Sequence, residues 1–530
     1  MKNLLLKYSI LSKCFLPLLL FLGYFFLSSL EFPLHDFSNS YFPAHILANT
    51  NESDVILFDI YKYNNYIWNL GYDDVLADFY LNSPFNTIAF YPFIFIQDVY
   101  LAKAIFNVFS IILFLLALYG LLKKYGENIR WLVIALPILF YVPFRNQILF
   151  GQTYFLVFAL VVFGFLWIEK RQYSIGSGAL IIALFLKIFP IAYGIPLIFK
   201  REWKAVFFGI FISFIILGLS IWFTGIDLWK TYFFEVLPNA IKNKSTVNFQ
   251  FNAQSLEVFL KTLFVQDDYY NPTVLFDNNR MYFIIKWILK SIIVGVALSL
   301  SFSNKKNLFA LLSIWVVTLF LMQSRTASYA QLLWIIPAFY MSNSTVVLSK
   351  KIGFFIILLL LCNIPLSILE DLPIFFKFSR LWLMIGLSIL FYSSFNRKVN
   401  YKYIVIGLFI LLPLHLDMFF KEKVDASTYV LDHHSYFMIH DFEIEENRLI
   451  YKALGKGGEA IEKTTIVITK FDELTCVIKD NQIQYNGLQI TNDASIKKKP
   501  VLVNDCEVYY LTDANSRRGA FTLKKINICD

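Results

Sequence analysis

Residues 99–124 read VYLAKAIFNVFSIILFLLALYGLLKK, a long apolar run closed by two lysines. About 20 such residues cross roughly 30 Å of hydrocarbon at 1.5 Å per residue, and a helix satisfies every backbone amide internally. Similar runs recur near 10–30, 129–146, 153–169, 203–223, 281–303, 307–323, 327–343, 352–369, 374–395 and 402–420. The composition points the same way: 530 residues are 58% hydrophobic and 16% charged, where a soluble chain carries about 25% charge. The mean hydropathy is +0.58. The sequence therefore predicts an all-α polytopic membrane protein. A cytosolic enzyme and a nucleic-acid partner for the net charge of +9 are excluded.

Charge separates two regions. Residues 421–530 hold 15 Lys and Arg against 17 Asp and Glu, whereas the first 420 hold 32 against 21. The basic excess thus belongs to the apolar part, where cationic connections mark the cytoplasmic side. Lys2, Lys7 and Lys13 place the N-terminus inside. So do the connections containing Lys123/Lys124/Arg130, Lys170/Arg171, Lys200/Arg201/Lys204, Lys305/Lys306, Lys350/Lys351 and Arg397/Lys398/Lys402. Residues 31–98 carry nine acids and one lysine, Lys62, and read as a large exterior loop; 224–280 form a second. The first run is long and lacks a small-residue cleavage site, which predicts an uncleaved anchor.

Arg171 and Lys200 both belong inside, yet only about 25 mostly apolar residues separate them, half of what two crossings need. A re-entrant pair of half-helices turning at Lys187-Ile188-Phe189-Pro190 resolves the conflict, since Pro190 cannot continue a helix. Irregular backbone at that depth requires protein or a wet cavity around it, and Lys187 would face such a cavity. The count becomes about 11–13 transmembrane helices. An odd number carries residues 421–530 outside, where alternation over 437–444, 464–469, 476–488 and 507–511, with the turn Asn486-Gly487, predicts a small β-rich domain. The expected division is 1–420 and 421–530. Cys14 and Cys362 lie in apolar runs; Cys476, Cys506 and Cys529 lie in the tail, where one disulfide is permitted and its pairing stays open.

No soluble-enzyme motif is present. Ser174-Ile175-Gly176-Ser177-Gly178 reads as a helix start beside a close-packed neighbour, and His433, His434, His440 and Asp441 lack tetrahedral metal-site spacing. Asp36, flanked by His35 and aromatics just past the first run, stands where the head group of an amphiphile would lie. A carboxylate there suits proton removal from a hydroxyl acceptor. Lys286 and Lys290 share a helical face, with Arg280 one and a half turns earlier, and intramembrane cations mark cavities or partners. Together with Lys187 these three form the candidate phosphate ligands, the competing role being snorkelling to head groups.

Six short segments, in order over residues 10–345, resemble the bacterial GT-C membrane glycosyltransferases, most closely glycosyltransferase family 87. They are His35-Asp36-Phe37 with Tyr41, Phe90-Tyr91-Pro92-Phe93, Phe150-Gly151-Gln152, Leu186-Lys187-Ile188-Phe189-Pro190 leading to Lys200-Arg201-Glu202-Trp203, Asn252-Ala253-Gln254-Ser255-Leu256, and Ser328-Tyr329-Ala330-Gln331 leading to Pro337. The resemblance implies inverting transfer of a mannose-like hexose or a pentose from a polyprenyl-phosphate-linked sugar to a glycan or lipid acceptor on the exterior face of a bacterial plasma membrane. It implies Asp36 as catalytic base. The donor phosphate then falls to Lys187, Lys286, Lys290 and Arg280, and sugar or acceptor contacts to His35, Tyr41, Gln152, Asn252, Gln254 and Gln331. No metal ligand is expected among these and no cofactor is implied beyond the lipid donor; a divalent metal requirement stays open. The chain departs from the family at Tyr154, where Asn is usual, and at Ala330-Gln331, where an acidic-histidine pair is usual. Competing classes are a transporter or lipid flippase, signalled by a second, symmetry-related broken helix, and a glycan polymerase or ligase.

Overall fold

The computed structural model describes residues 2–126, 130–241, 251–266, 271–395, 397–419, 427–431, 438–455, 460–468, 470–493, 495–514 and 518–529. The chain divides into two compact units: 1–37, 92–220 and 249–421 form the first, and 38–91, 221–248 and 422–530 the second.

The first unit is helical. It contains α1 (Lys2–Ser29), α2 (Val99–Tyr125), α3 (Arg130–Leu139), α4 (Tyr141–Phe150), α5 (Tyr154–Glu169), α6 (Tyr173–Leu186), most of α7 (Trp203–Thr224), α8 (Asn279–Ser303) and α9 (Leu308–Met322), with further helices to residue 419. Among the described residues, α2, α7 and α8 are long and apolar enough to cross a membrane, at 27, 22 and 25 residues. These apolar helices make it a membrane protein. On α7 only 6% of the most apolar window is buried, and Phe207, Phe211, Phe214 and Trp222 lie exposed. A helix apolar all round that is not covered by protein needs an apolar surrounding.

The other runs differ from uninterrupted spans. Residues 129–146, read as one crossing, contain a 69° bend between α3 and α4. Pro137 sits in α3, three residues before the break at Phe140, and proline weakens the helical ladder around it. Helices α5, α6 and α9 are 16, 14 and 15 residues long. Helix α6 stops at Lys187, whose backbone is extended, and the chain resumes as a 3-10 turn at Phe189–Gly194 carrying Pro190. The break expected at this proline is therefore present.

Glycine permits the tightest packing. A Cβ on Gly164 of α5 would lie 2.7 Å from Leu180, and one on Gly176 of α6 would lie 2.6 Å from Ile168. The two antiparallel neighbours thus meet backbone to side chain, as small residues allow in membrane helix pairs. Helix α6 begins at Tyr173, so the glycine-serine stretch opens a helix against a close neighbour.

The second unit holds the β-rich tail. An antiparallel five-stranded sheet runs in the order Thr428–Tyr429, Thr522–Asn527, Glu507–Thr512, Lys497–Val503, Phe471–Asp472. Alternation of side chains sends Tyr509 and Leu511 into one apolar cluster with Ile439, Phe442 and Phe521, and Val508 and Tyr510 into another with Cys476, Ile483 and Ile526. Both faces of the central strand are therefore buried. Three two-residue turns have both φ angles positive: Glu446-Asn447, Asp480-Asn481 and Asn486-Gly487. That geometry matches the twist of the flanking strands. Stretch 476–488 is accordingly three short strands rather than one. Cys506 pairs with Cys529, and Cys476 is buried and reduced. The same unit includes helix Ile60–Asn69, whose Ile60, Tyr61 and Trp68 pack with Met438, Leu454 and Ala520. Glu235 accepts a 2.8 Å salt bridge from Arg518.

Asp513 is 8% exposed. Burial pushes its carboxyl up to about 6 even though the amides of Ile496 and Gly519 donate to it. An acid raised above its unfolded value of 3.8 adds stability that is full below about pH 4 and lost as pH rises through about 6. Between pH 7 and 5, acidification should thus stabilise the wild type more than Asp513→Asn by about 1 kcal/mol. Thermal unfolding of the two proteins across that range checks the difference; parallel pH profiles would contradict it.

Candidate active site

The site is built where the chain leaves α1. His35, Asp36 and Phe37 form a single 3-10 turn, with His35 at φ 48°. This turn is held by Lys103, one turn into α2 and almost fully buried, whose ammonium donates to the carbonyls of Pro33 at 2.7 Å and Phe32 at 3.2 Å. A second tie follows from Asn107, which donates to the Ile148 carbonyl at 3.0 Å and to Ser29 at 3.3 Å. Lys103 thus caps the carbonyl end of the segment that presents Asp36.

The opposing wall is the end of α4. Gly151 adopts φ 67°, the left-handed conformation that ends the helix, and a Cβ there would lie 2.7 Å from the Cβ of Phe37. Only glycine meets both demands. The reversal turns the next residue, Gln152, toward the carboxylate: its Nε2 donates to Asp36 Oδ2 at 2.5 Å. Gln152 is itself fixed by Gln147, whose side-chain amide donates to the Gln152 carbonyl and whose carbonyl accepts from the Gln152 amide at 3.0 Å. On the other side His35 Nδ1 lies 3.3 Å from Asp36 Oδ1, and its ring stacks on Phe150 at 3.8 Å.

Further side chains complete the surroundings. Tyr329 hydrogen-bonds Asp36. Its ring lies 5.2 Å from that of Tyr154, which stacks on Phe189 at 5.8 Å, so Tyr154 supplies an aromatic wall. The ammoniums of Lys187 and Lys103 both feel the Asp36 carboxylate, and Arg325 acts on Tyr329. The Asp36 side chain remains 21% exposed. A partly open carboxylate among fixed donors, cations and aromatic faces is suited to accept a proton from a polar, ring-bearing molecule.

The remaining candidates go elsewhere. Lys286 and Lys290, expected to bind a phosphate, flank a carboxylate that sequence reading overlooked: Glu257 lies 2.8 Å from Lys290 and 3.6 Å from Lys286. Burial would raise Glu257, but the two ammoniums outweigh it and hold its carboxyl at about 2. Arg280 is exposed at the start of α8. Gln254 is buried, and its amide closes a turn by donating to the carbonyls of Phe251 and Lys377, each at 3.0 Å. Asn252 is exposed on that turn. The Ala253 carbonyl accepts from Thr326 at 3.0 Å, tying this turn to the segment that carries Arg325 and Tyr329. Gln331 is buried two residues beyond Tyr329. Tyr41 belongs to the second unit, its ring 5.4 Å from that of Phe42. Among the described residues no three His, Cys, Asp or Glu side chains form a metal-sized group; His433 and His434 lie outside them.

Residues 80–324 match the family model of glycosyltransferase family 87. Over a little less than half of its length the chain is thus similar to a family of membrane glycosyltransferases, and the match supports a glycosyltransferase. The matched segment contains Gln152, Lys187 and Glu257, while Asp36 and Tyr329 flank it on either side. No curated protein and no solved structure matches the chain. Tyr329 and Glu257 carry no local mark in the sequence, because the partners that place them are distant along the chain.

Replacing Gly151 by alanine in the glycosyltransferase should cost about 2–4 kcal/mol, from a left-handed backbone bearing a Cβ and from overpacking Phe37. Gln152 should shift with it. Thermal unfolding in detergent and a transfer assay check this: a lower midpoint with at least tenfold lower turnover is expected, and wild-type values in both would contradict the packing.

Proposed function

We propose that this glycosyltransferase moves a hexose or pentose, mannose-like in kind, from a polyprenyl-phosphate-sugar to a glycan or lipid acceptor, with Asp36 as general base. The observation that supports it best is the convergence on Asp36 of the Gln152 amide, the Tyr329 hydroxyl and the Lys187 charge. In this reading Asp36 takes the proton from an acceptor hydroxyl as its oxygen attacks the anomeric carbon. The bond from that carbon to the phosphate oxygen breaks with inversion, and the lipid phosphate leaves with the electron pair. Lys187, assisted by Arg325, offsets the negative charge that grows on the phosphate. Phe150, Tyr154 and His35 offer faces for sugar rings, and Gln152 holds the carboxylate in orientation.

The same reading takes residues 1–420 as a GT-C-type domain with about 11–13 membrane segments, including a re-entrant pair broken at Lys187. It sets the N-terminus in the cytoplasm of a bacterial cell, and residues 421–530 with the 31–98 and 224–280 loops on the exterior face of the plasma membrane. Transport is less well supported. A second break does exist, at Phe140, but it lies only 47 residues before Lys187, in neighbouring segments rather than at matching positions of two halves.

The test is Asp36→Asn at equal membrane abundance, assayed for transfer from a polyprenyl-phosphate-sugar. Loss of a positioned base should lower turnover by about 10²–10⁴-fold with little change in donor binding. Wild-type turnover would remove Asp36 from the chemistry.

A further inference from the structure

Four connections of the helical unit meet in one pocket far from Asp36. Its volume is about 640 Å³, and its lining includes Lys124, Arg171, Lys200 and Lys306 with Glu169 and Glu202. Lys124 lies in the last turn of α2, whose first turns carry Lys103. The two lysines stand 21 residues apart on one helix, about 30 Å at 1.5 Å per residue, so this pocket and the Asp36 site are separate. Its four cations come from four different connections, each of them basic enough in sequence to be assigned to one side of the membrane.

That bias explains basic residues on a common face. It does not require them to surround a single cavity, nor to be tied in place there. Lys200 donates to the Lys306 carbonyl at 2.7 Å, which fastens the end of the helix Ile195–Lys200 to the turn before α9. Glu169 is occupied by the Tyr125 hydroxyl at 2.8 Å and by Lys124 at 3.5 Å. Asn307 caps α9 by accepting from the Ala310 amide at 3.0 Å, placing the positive end of that helix at the pocket edge. Four cations against two carboxylates, one already held, leave a net positive field in a cavity of ligand size. Arg171 adds a planar fork suited to a bidentate oxyanion.

We propose that this pocket binds a phosphate-bearing anion, either a phospholipid head group or free phosphate, independently of the transfer chemistry. A basic pocket between membrane helices is the setting in which anionic head groups are recognised.

The test uses full-length protein in nanodiscs of phosphatidylcholine alone and of phosphatidylcholine mixed with phosphatidylglycerol, following the thermal midpoint. Inorganic phosphate is titrated into the first and compared with chloride at matched ionic strength. A higher midpoint with phosphatidylglycerol alone assigns the site to a lipid head group; a higher midpoint with phosphate as well assigns it to the phosphate group itself. In either case Arg171→Gln/Lys200→Gln should weaken the response at least tenfold in ligand concentration, whereas Arg171→Lys/Lys200→Arg should retain most of it. The proposal is overturned if wild type responds to neither anion beyond chloride, or if the charge-removing pair responds as wild type does. The wild-type comparison stands by itself should that pair fail to fold.

Discussion

The hydrogen bond from Gln152 to Asp36 is the contact on which the proposed chemistry depends, and it exists because of a backbone constraint. Helix α4 must end abruptly and reverse within one residue while Phe37 presses against that residue. Gly151 alone satisfies both conditions, so the side chain after it is delivered to the carboxylate. Lys103 secures the other half by binding the carbonyls that precede His35. Asp36 is thereby gripped from two helices that are distant in sequence, and its orientation is set before any substrate arrives. Preorganisation of this kind spares the reacting state a cost of reorganisation.

Two charge groups within the helical unit differ in character. Around Asp36 the cations act on a carboxylate that stays partly open, with the uncharged Gln152 and Tyr329 among its hydrogen-bond donors. Around Glu257 two lysines close directly on a buried carboxylate, with Tyr282 donating to it at 3.3 Å. The second arrangement joins the helix Leu256–Phe264 to α8 and is expensive to break, because removing one partner leaves charge buried without compensation. The first has room to exchange partners during a reaction. This contrast is the reason the proposed function gives the base to Asp36 and leaves Glu257 as a link between helices.

Part of this was legible before any coordinates. Asp36 stands at the end of an apolar run, and Lys187 precedes a proline in a segment too short for two crossings; both signals are local. Gln152 followed from the order of short segments. Tyr329 and Glu257 were not legible, since a tyrosine or glutamate that meets its partner across the fold has no local mark. The apolar runs were visible as runs, but their continuity was not: Pro137 lay in plain view inside residues 129–146, and the total apolar content outweighed it. In the tail, Asn486-Gly487 announced a turn through its glycine. Glu446-Asn447 and Asp480-Asn481 make turns of the same kind without one. The Cys506–Cys529 pairing required geometry, because three cysteines in one region permit several choices.

The most direct measurement of the central claim is a cryo-electron microscopy structure of the protein with a polyprenyl phosphate bound. The phosphate should lie within hydrogen-bonding reach of Lys187, with Asp36 facing the same chamber and still held by Gln152. A phosphate seated on Lys286 and Lys290, with Asp36 turned away from it toward bulk water, would contradict the account.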